Sequence, residues 1–546
     1  MDIRAMWRRA VERPWALLVL LLALALSVVV TNPLGEFAVN DDWFYYWSLQ
    51  GFHWSSFKLD SLITPSLMGQ IFYGHALVKI FGFSFTLLRL STIVLAAVGT
   101  FFFYRLLRKI GLARDASVLS SLVLWFNPIF FFLSFSFMTD VPALAFVMIA
   151  TYFFWRWHQG GSRVSLAAAL LLTIYACLIR QSYALVLLAA AVLVFWPRQG
   201  KKRDWWSAAI YLMSLVVAFG VKLWLAWCGW WPTNDVSLHS FENVSEVASN
   251  FYQQLYYVWH YLALFLAPVT IIFFARLNSA RRWRGVLSGL ASMALGLGLY
   301  VYYGLVFPYF GNVISVYGLG PREPNLTLAG APMPLLAPLA TFVLTVIVSF
   351  VAGVSLYLLI SGARRLLKER AFGDNFRFGI FLVVNVVTQF GVVALLVGFD
   401  RYYLSLLFFM LVLLALVCHD QKTRAVSWIL LALFAVVSIV GTSSYLRESA
   451  LKWQIANRLI NQGEKITQVD GGYEWLGWNW YKKGNPTWLP YYDPSKPWYI
   501  TSLFPDVLRD YVISYDAVAV GYRLVGVYSY PRPLLGDGKL YLLKRQ

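Results

Sequence analysis

The chain has 546 residues, of which 60% are hydrophobic, 18% aromatic and only 13% charged. A soluble domain carries about 25% charged residues, so this composition excludes an ordinary soluble globular protein. Membrane topology explains the net charge of +19, because Lys and Arg collect in short cytoplasmic loops, and we expect no nucleic acid partner. The three cysteines argue against a disulfide framework.

Apolar runs of about 17–25 residues follow one another along the chain, which is the length that crosses a ~30 Å hydrocarbon core as a helix. They lie near residues 14–31, 84–107, 115–134, 139–157, 164–180, 182–197, 205–227, 256–275, 285–306, 334–360, 376–397, 402–418 and 425–441. The first run lacks a small-residue cleavage site, so we interpret it as a retained helix and not as a signal peptide. The pattern predicts a polytopic α-helical membrane protein with about thirteen spans.

The distribution of basic residues gives the orientation. Alternating the spans from a cytoplasmic N-terminus places about 25 of the 45 basic residues in short cytoplasmic loops, as the positive-inside rule expects. About 13 more lie beyond residue 445, in a C-terminal segment that is long enough to be exempt from the rule. The basic residues that topology leaves unexplained, all at the outer side, are Lys58, Lys79, Arg89, Arg180, Lys222, Arg322 and Arg401.

Four polar segments are expected on the non-cytoplasmic side, and they cover about residues 32–83, 228–255, 307–333 and 442–546. The first outer loop covers residues 32–83, and its semi-polar stretch 61–81 predicts helices that lie on the membrane surface. We divide the chain into a transmembrane domain, residues 1–441, and a C-terminal extracytoplasmic domain, residues 442–546. The sequence thus predicts a plasma membrane protein, in a bacterium an inner membrane protein, with a cytoplasmic N-terminus and a periplasmic or extracellular C-terminus.

The C-terminal domain is soluble in composition. It opens with a helical pattern near residues 446–463 and continues with Trp- and Gly-rich loops such as Gly471–Trp475. It closes with strand-like alternation in 517–530 and 540–543, joined by a Pro/Gly turn. We expect a small α/β or mostly β domain that packs on the membrane surface.

Carboxylates stand at two places where a membrane helix meets the outer side. Asp41 and Asp42 follow the first helix, and because adjacent side chains diverge, one can face a cavity while the other bonds the backbone or a metal. Asp140 lies between the third and fourth helices, where Thr139 or Asp140 could also serve as an N-cap. Carboxylates at the membrane edge are costly unless they are solvated or used, so these positions are candidate catalytic residues.

The outer basic residues are candidate anion ligands. With the neighbouring Tyr402, those we assign to a phosphate or donor site are Lys79, Arg89, Arg180, Arg322 and Arg401. Each could instead extend to lipid headgroups or pair locally, as Arg401 could with Asp400 and Arg322 with Glu323. As a group they suit a phosphate or pyrophosphate, because guanidinium groups bind such anions with two hydrogen bonds.

Two segments resemble motifs of a known family. Residues 78–90 are similar to the entry into the second helix, and residues 137–143 to the second acidic motif, of the GT-C membrane glycosyltransferases. The branch that this chain resembles holds the protein O-mannosyltransferases and the bacterial lipid A aminoarabinose transferase. The resemblance is clearest over residues 14–200, and beyond them it is one of architecture.

The resemblance implies a function. In that family a sugar on a polyprenyl phosphate is the donor, and Asp41 or Asp42 would be the general base that activates an acceptor hydroxyl, with inversion at the sugar. The acceptor could be a lipid, a glycan or a protein, and membrane lipids surround the protein. No cofactor is assigned with certainty. A divalent metal ion is the one candidate, although residues 64–69 differ from the segment that serves a metal in the aminoarabinose branch.

The alternative is a transporter, flippase or polymerase of lipid-linked glycans. Transport predicts broken helices with charges near the middle of the membrane, and often an internal repeat. We find no internal repeat in the sequence, and its unexplained polar residues lie at the outer edge. The sequence therefore favours the glycosyltransferase.

Overall fold

The computed structural model is dominated by α-helices. It describes residues 15–53, 57–59, 66–195, 205–230, 244–275, 277–309, 311–322, 330, 332, 334–368, 374–395, 398–417, 423–481 and 496–546. Within the described residues, every predicted apolar run overlaps one helix or a broken pair of helices. The prediction of a multi-pass helical membrane protein is therefore confirmed.

The α-helices are numbered in chain order over the described residues. They are α1 (Trp15–Thr31), α2 (Asp42–Gln50), α3 (Met68–Phe81), α4 (Phe85–Lys109), α5 (Arg114–Trp125), α6 (Pro128–Ser134), α7 (Asp140–His158), α8 (Arg163–Ile179), α9 (Ala184–Phe195), α10 (Trp205–Trp227), α11 (Val244–Phe274), α12 (Ser279–Tyr303), α13 (Pro338–Lys368), α14 (Asp374–Leu395), α15 (Leu404–Val417), α16 (Ala425–Asn461), α17 (Tyr473–Asn479) and α18 (Trp498–Ser502). Short 3₁₀ turns follow α8, at Gln181–Tyr183, and precede α15, at Asp400–Tyr403.

The number of membrane spans remains a prediction. Seven helices in the described part of the chain are long and apolar enough to cross a bilayer, and they are α4, α10, α11, α12, α13, α14 and α16. The pair α5 and α6 makes an eighth if its two members, bent by 64°, form one span. The bend has a local cause. Pro128 has no N–H to continue α5, and the Asn127 side-chain oxygen accepts the N–H groups of Ile129 and Phe130 at 3.1 Å.

The last long helix, α16, joins the membrane domain to the C-terminal domain without a break. It has 37 residues, and at about 1.5 Å per residue it is roughly 55 Å long. The predicted boundary between residues 441 and 442 falls inside it, and the helical pattern predicted near 446–463 is its second half. Glu448 and Lys452 are buried in this half, where the helix packs against the C-terminal sheet.

The C-terminal domain contains a four-stranded sheet with the order β3-β4-β6-β5. Its strands are β3 (Val469–Asp470), β4 (Tyr511–Ser514), β5 (Tyr522–Arg532) and β6 (Gly536–Arg545). β3 and β4 are parallel, the other pairs are antiparallel, and the β5–β6 register shifts between Leu524 and Gly526. The alternation predicted in 517–530 and 540–543 thus lies largely in the β5–β6 hairpin, and the expected small domain with β structure is confirmed.

A buried cluster of charged and tyrosine side chains holds the C-terminal domain against α16. The Glu448 carboxylate accepts hydrogen bonds from the hydroxyls of Tyr515 at 2.7 Å and Tyr530 at 2.8 Å, both in the C-terminal domain. Arg322 pairs with the same carboxylate at 3.1 Å. Arg322 follows the short hairpin formed by β1 (Ile314–Ser315) and β2 (Gly318–Leu319). The Glu448 carboxylate therefore connects α16, the C-terminal domain and the segment that follows the β1–β2 hairpin.

Candidate active site

Asp41 is the N-cap residue of α2, and its side chain is 30% exposed. Arg401 donates from Nη1 to Asp41 Oδ2 at 2.9 Å, and the Tyr473 hydroxyl donates to Asp41 Oδ1 at 3.1 Å. A carboxylate oxygen has two lone pairs, so each oxygen of Asp41 keeps one for a further donor. This carboxylate is oriented by two partners and still able to accept a proton.

Asp42, the next residue, is fully buried. Its Oδ1 accepts the N–H of Val39 at 2.7 Å, and its Oδ2 accepts the N–H of Phe137 and the hydroxyl of Tyr46, each at 3.1 Å. Phe137 is the first residue of the segment 137–143 that contains Asp140. The two adjacent aspartates therefore differ in surroundings, since Asp42 braces two backbone segments while Asp41 is partly open to solvent.

We expect Asp42 to make the stability of the protein depend on pH. Burial raises the pKa of Asp42 from its ordinary 3.8 to about 7. The hydrogen bonds from backbone N–H groups and the charge of Arg89 oppose this rise but are outweighed by burial. Between these two pKa values the folded protein keeps a proton that the unfolded chain loses. Stability should therefore fall as the pH rises from 4 to 7, on the order of 1 kcal/mol per pH unit.

The measurement is the apparent melting temperature of the purified protein between pH 4 and pH 8, compared with Asp42→Asn. The amide does not titrate, so the difference between the two curves isolates this one group. Parallel curves would show that Asp42 stays ionised in the folded protein and would contradict the expectation.

Asp140 and Arg180 form a second carboxylate–guanidinium pair. Asp140 is the first residue of α7 and Arg180 follows the last residue of α8. Arg180 Nη1 contacts Asp140 Oδ1 and donates to the Thr139 hydroxyl at 3.2 Å. Thr139 occupies the N-cap position, but its side chain makes no capping bond. The Asp140 side chain is 4% exposed, and its Oδ2 has no hydrogen-bond partner within the described residues.

Tyr402 joins the two pairs. The guanidinium carbon of Arg180 lies 5.0 Å from the centre of the Tyr402 ring, and that of Arg401 lies 5.5 Å from it. Cations within about 6 Å of an aromatic ring centre are attracted to it. Asp41, Arg401, Tyr402, Arg180 and Asp140 thus form one continuous cluster, which brings together residues up to 360 positions apart.

The buried carboxylate of Asp400 fixes the backbone that presents Arg401. It accepts N–H groups from Asn312 at 2.9 Å, Val313 at 3.1 Å and Ile314 at 2.8 Å. The Asn312 side chain in turn accepts from the Asn40 amide at 2.8 Å. Because these N–H groups occupy the Asp400 carboxylate, Arg401 forms its ion pair with Asp41. The pair between Arg401 and Asp400 that was considered from the sequence is not formed.

The remaining basic residues assigned from the sequence lie elsewhere. Arg89 is fully buried and donates to the carbonyls of Pro33 at 2.5 Å and Phe37 at 2.8 Å. Arg322 is occupied by Glu448, as described above, and its sequence neighbour Glu323 lies outside the described residues. Lys79 is exposed in the last turn of α3. Within the described part of the chain none of these three contacts the cluster, and their assignment to donor binding stays a prediction.

Two tyrosines join the site without having been singled out in the sequence. Tyr473 reaches Asp41 from the C-terminal domain, 432 residues away. Tyr45 lies one turn along α2 from Asp41, and the charges of both carboxylates and both guanidinium groups act on its hydroxyl. Its spacing of four residues from Asp41 on a helix was the one available signal.

The donor set does not fit a divalent metal ion. Among the residues that the structure describes, no group of three or more His, Cys, Asp and Glu side chains is placed to hold one. Asp41 and Asp140 already face guanidinium groups, which take the place that a cation would occupy. Residues 64–65 of the segment compared with the aminoarabinose branch lie outside the described residues. We assign no chemical step to a metal.

Residues 71–227 match the family model described as dolichyl-phosphate-mannose-protein mannosyltransferase. The resemblance to this family is confirmed. The matched region runs from α3 to α10 and includes Arg89, Asp140 and Arg180, but it begins after Asp41 and ends before Arg401.

Two solved structures are similar at a distant level. One is ArnT from Cupriavidus metallidurans bound to undecaprenyl phosphate, with 14% identity, a TM-score of 0.39, and coverage of 86% of this chain and 85% of that one. The other is the same protein in the apo state, with 14% identity, a TM-score of 0.38, and coverage of 85% and 84%. No match was found among curated proteins.

Proposed function

We propose that this chain is a membrane glycosyltransferase that moves a sugar from a polyprenyl phosphate to an acceptor hydroxyl at the outer face of the membrane. The observation that carries the proposal is the cluster in which Asp41 and Asp140 meet Arg180 and Arg401 around Tyr402. Such a cluster supplies both a base for the acceptor and cations for a leaving phosphate. The match to a mannosyltransferase family supports the same reaction.

Asp41 is the general base in this proposal. The acceptor hydroxyl gives its proton to the carboxylate as its oxygen bonds to the anomeric carbon, and the bond from that carbon to the phosphate oxygen breaks. One displacement of this kind inverts the configuration of the sugar. The side chain is partly exposed, and each of its oxygens has a lone pair to spare. Asp42 has neither property, because it is fully buried and already accepts three hydrogen bonds.

Arg180 and Arg401 bind the phosphate of the donor and of the departing lipid. A guanidinium group has five N–H donors, and both arginines bond the cluster carboxylates through Nη1. Nε of Arg401 has no hydrogen-bond partner within the described residues. Donors placed where negative charge develops stabilise the transition state of such a reaction.

The direction of the helices supports an outward-facing site. α7 begins at Asp140 and carries Arg156 in its last turn, while α8 begins at Arg163 and ends beside Arg180. The cluster therefore lies at one end of these helices, and Arg156 and Arg163 flank the short loop at the other end. Basic residues beside short loops mark the cytoplasmic side. In this arrangement residues 1–441 form the catalytic membrane domain and residues 442–546 lie on the outer side.

A doubly labelled donor tests the proposal. The purified protein is reconstituted in vesicles with a polyprenyl phosphate that carries labels of different isotopes in the lipid and in the sugar, mannose in one preparation and aminoarabinose in another. Lipid A, a glycan and a serine-containing peptide are offered as acceptors. A transferase separates the two labels and leaves the sugar on an acceptor. A flippase moves both labels together to the other leaflet, and that outcome would replace the proposal by its alternative.

A further inference from the structure

The short helix α17 of the C-terminal domain lies directly against α2, the helix that Asp41 caps. Tyr473, its first residue, donates its hydroxyl to Asp41 Oδ1 at 3.1 Å. One turn later, the Gly477 carbonyl accepts the indole N–H of Trp47 at 3.2 Å. The Trp43 ring packs edge-on against Tyr473, with centroids 5.5 Å apart. α17 therefore contacts the catalytic helix through both polar and apolar groups.

The fit between the two helices is close. A Cβ atom added to Gly477 would lie 2.2 Å from the Trp43 ring, so the ring or the helix would have to shift. The next residue, Trp478, stacks on Phe83 at 5.4 Å with an angle of 5° between the rings, and its ring centre lies 4.8 Å from that of Trp47. Aromatic pairs of this kind stabilise an interface beyond the burial of their surface. The position of Tyr473 is thus set by a tightly packed interface.

We propose that α17 is part of the active site and that Tyr473 is a positioning residue for Asp41. This inference rests on the proposed role of Asp41 as the base. Arg401 holds one oxygen of the carboxylate and Tyr473 holds the other, so together they fix its rotation and aim its free lone pairs. A base that is misplaced by about 1 Å loses on the order of 10²-fold in rate. The C-terminal domain then takes part in the reaction and does more than cover the membrane domain.

Tyr473→Phe is the test, because it keeps the ring and its packing and removes only the hydroxyl. With the acceptor that reacts in the double-label assay, kcat should fall about 10-fold or more. The KM for the donor, the binding of undecaprenyl phosphate and the melting temperature should stay unchanged. Labelling of Asp41 by a carbodiimide, followed by mass spectrometry, should become severalfold faster, because Oδ1 loses its donor. This second readout needs no turnover.

One control variant and one packing variant accompany Tyr473→Phe. Tyr522→Phe makes the same change in the same domain, at a hydroxyl that donates to the Arg509 carbonyl at 2.9 Å, and it should behave as wild type. Gly477→Ala should lower kcat as Tyr473→Phe does, because the added methyl group pushes α17 away from Trp43.

The outcomes separate the two proposals. If Asp41→Asn transfers sugar at the wild-type rate, the role of Asp41 as the base is wrong. If Asp41→Asn is inactive while Tyr473→Phe keeps the wild-type kcat and the wild-type labelling rate, the positioning role alone is overturned.

Discussion

Replacing Asp41 with Asn should lower the rate of sugar transfer by about 10²- to 10⁴-fold, the range that a general base contributes. The amide has nearly the shape of the carboxylate, but it cannot take the proton of the acceptor hydroxyl. Its oxygen can still accept the Tyr473 hydroxyl, but its NH2 group cannot accept from Arg401 as Oδ2 does. The melting temperature should therefore fall, while the folded protein still binds undecaprenyl phosphate, as measured by native mass spectrometry.

Asp42→Asn is the matched control for this variant. The same chemical change, one residue along the chain, falls on a side chain that is fully buried and turned away from the cluster. It should lower the melting temperature, because the amide NH2 cannot accept the N–H of Val39 or Phe137 as the carboxylate does. It should also remove the pH dependence that Asp42 contributes to stability, while sugar transfer by the folded protein stays within a few-fold of wild type. Loss of transfer in Asp42→Asn together with full transfer in Asp41→Asn would reverse the assignment.

Arg180→Met should have the second largest effect, on both ligand binding and stability. Removing the guanidinium group takes a cation from the proposed phosphate site, and affinity for undecaprenyl phosphate should fall about 10-fold or more. It also leaves the Asp140 carboxylate, 4% exposed, without its ion-pair partner. Breaking a buried pair costs about 3–5 kcal/mol, and because the Arg180 side chain is 21% exposed we expect the lower end of that range.

The double variant Arg180→Met with Asp140→Asn separates the two effects. Removing the orphaned charge should restore much of the melting temperature, while affinity for undecaprenyl phosphate stays low. If the double variant instead binds the lipid phosphate as wild type does, Arg180 serves only to neutralise Asp140 and is not a phosphate ligand.

The helices could be predicted from the sequence because the signal for them is local. A run of apolar residues is required wherever a helix crosses lipid, and the run near 115–134 even contained the Asn127 and Pro128 that divide it into two helices. The helix that joins the two domains was predicted as two pieces. Its apolar half and its polar half differ in composition, and composition alone does not show that the backbone continues through the change.

The candidate site could be predicted only in part. Arg89 and Arg180 both stand beside apolar segments on the side predicted to be outer, and no local feature distinguishes them. Their surroundings differ, because Arg89 meets the backbone carbonyl of Pro33 and Arg180 meets Asp140. Which aspartate of the pair stays open depends likewise on the N–H of Phe137, which lies 95 residues away.

Tyr473 could not be predicted from the sequence as a site residue. The Gly- and Trp-rich composition around it predicts only loops, whereas the structure has the short helix α17 there. Its hydrogen bond to Asp41 depends on the docking of a whole domain, and neither periodicity nor charge counting relates the two positions.

The unbroken helix α16 has a consequence for how the two halves of the protein are aligned. A flexible linker would leave the position of the C-terminal domain relative to the membrane helices open. A continuous helix fixes both the distance of the domain along the helix axis and its rotation about that axis. One inserted residue between 441 and 447 would lift the domain by about 1.5 Å and turn it by about 100°. Seven inserted residues would return the domain almost to its original rotation about the helix axis, but about 10 Å farther along that axis. The position of the C-terminal domain relative to Asp41 is thus set by the number of residues in one continuous helix.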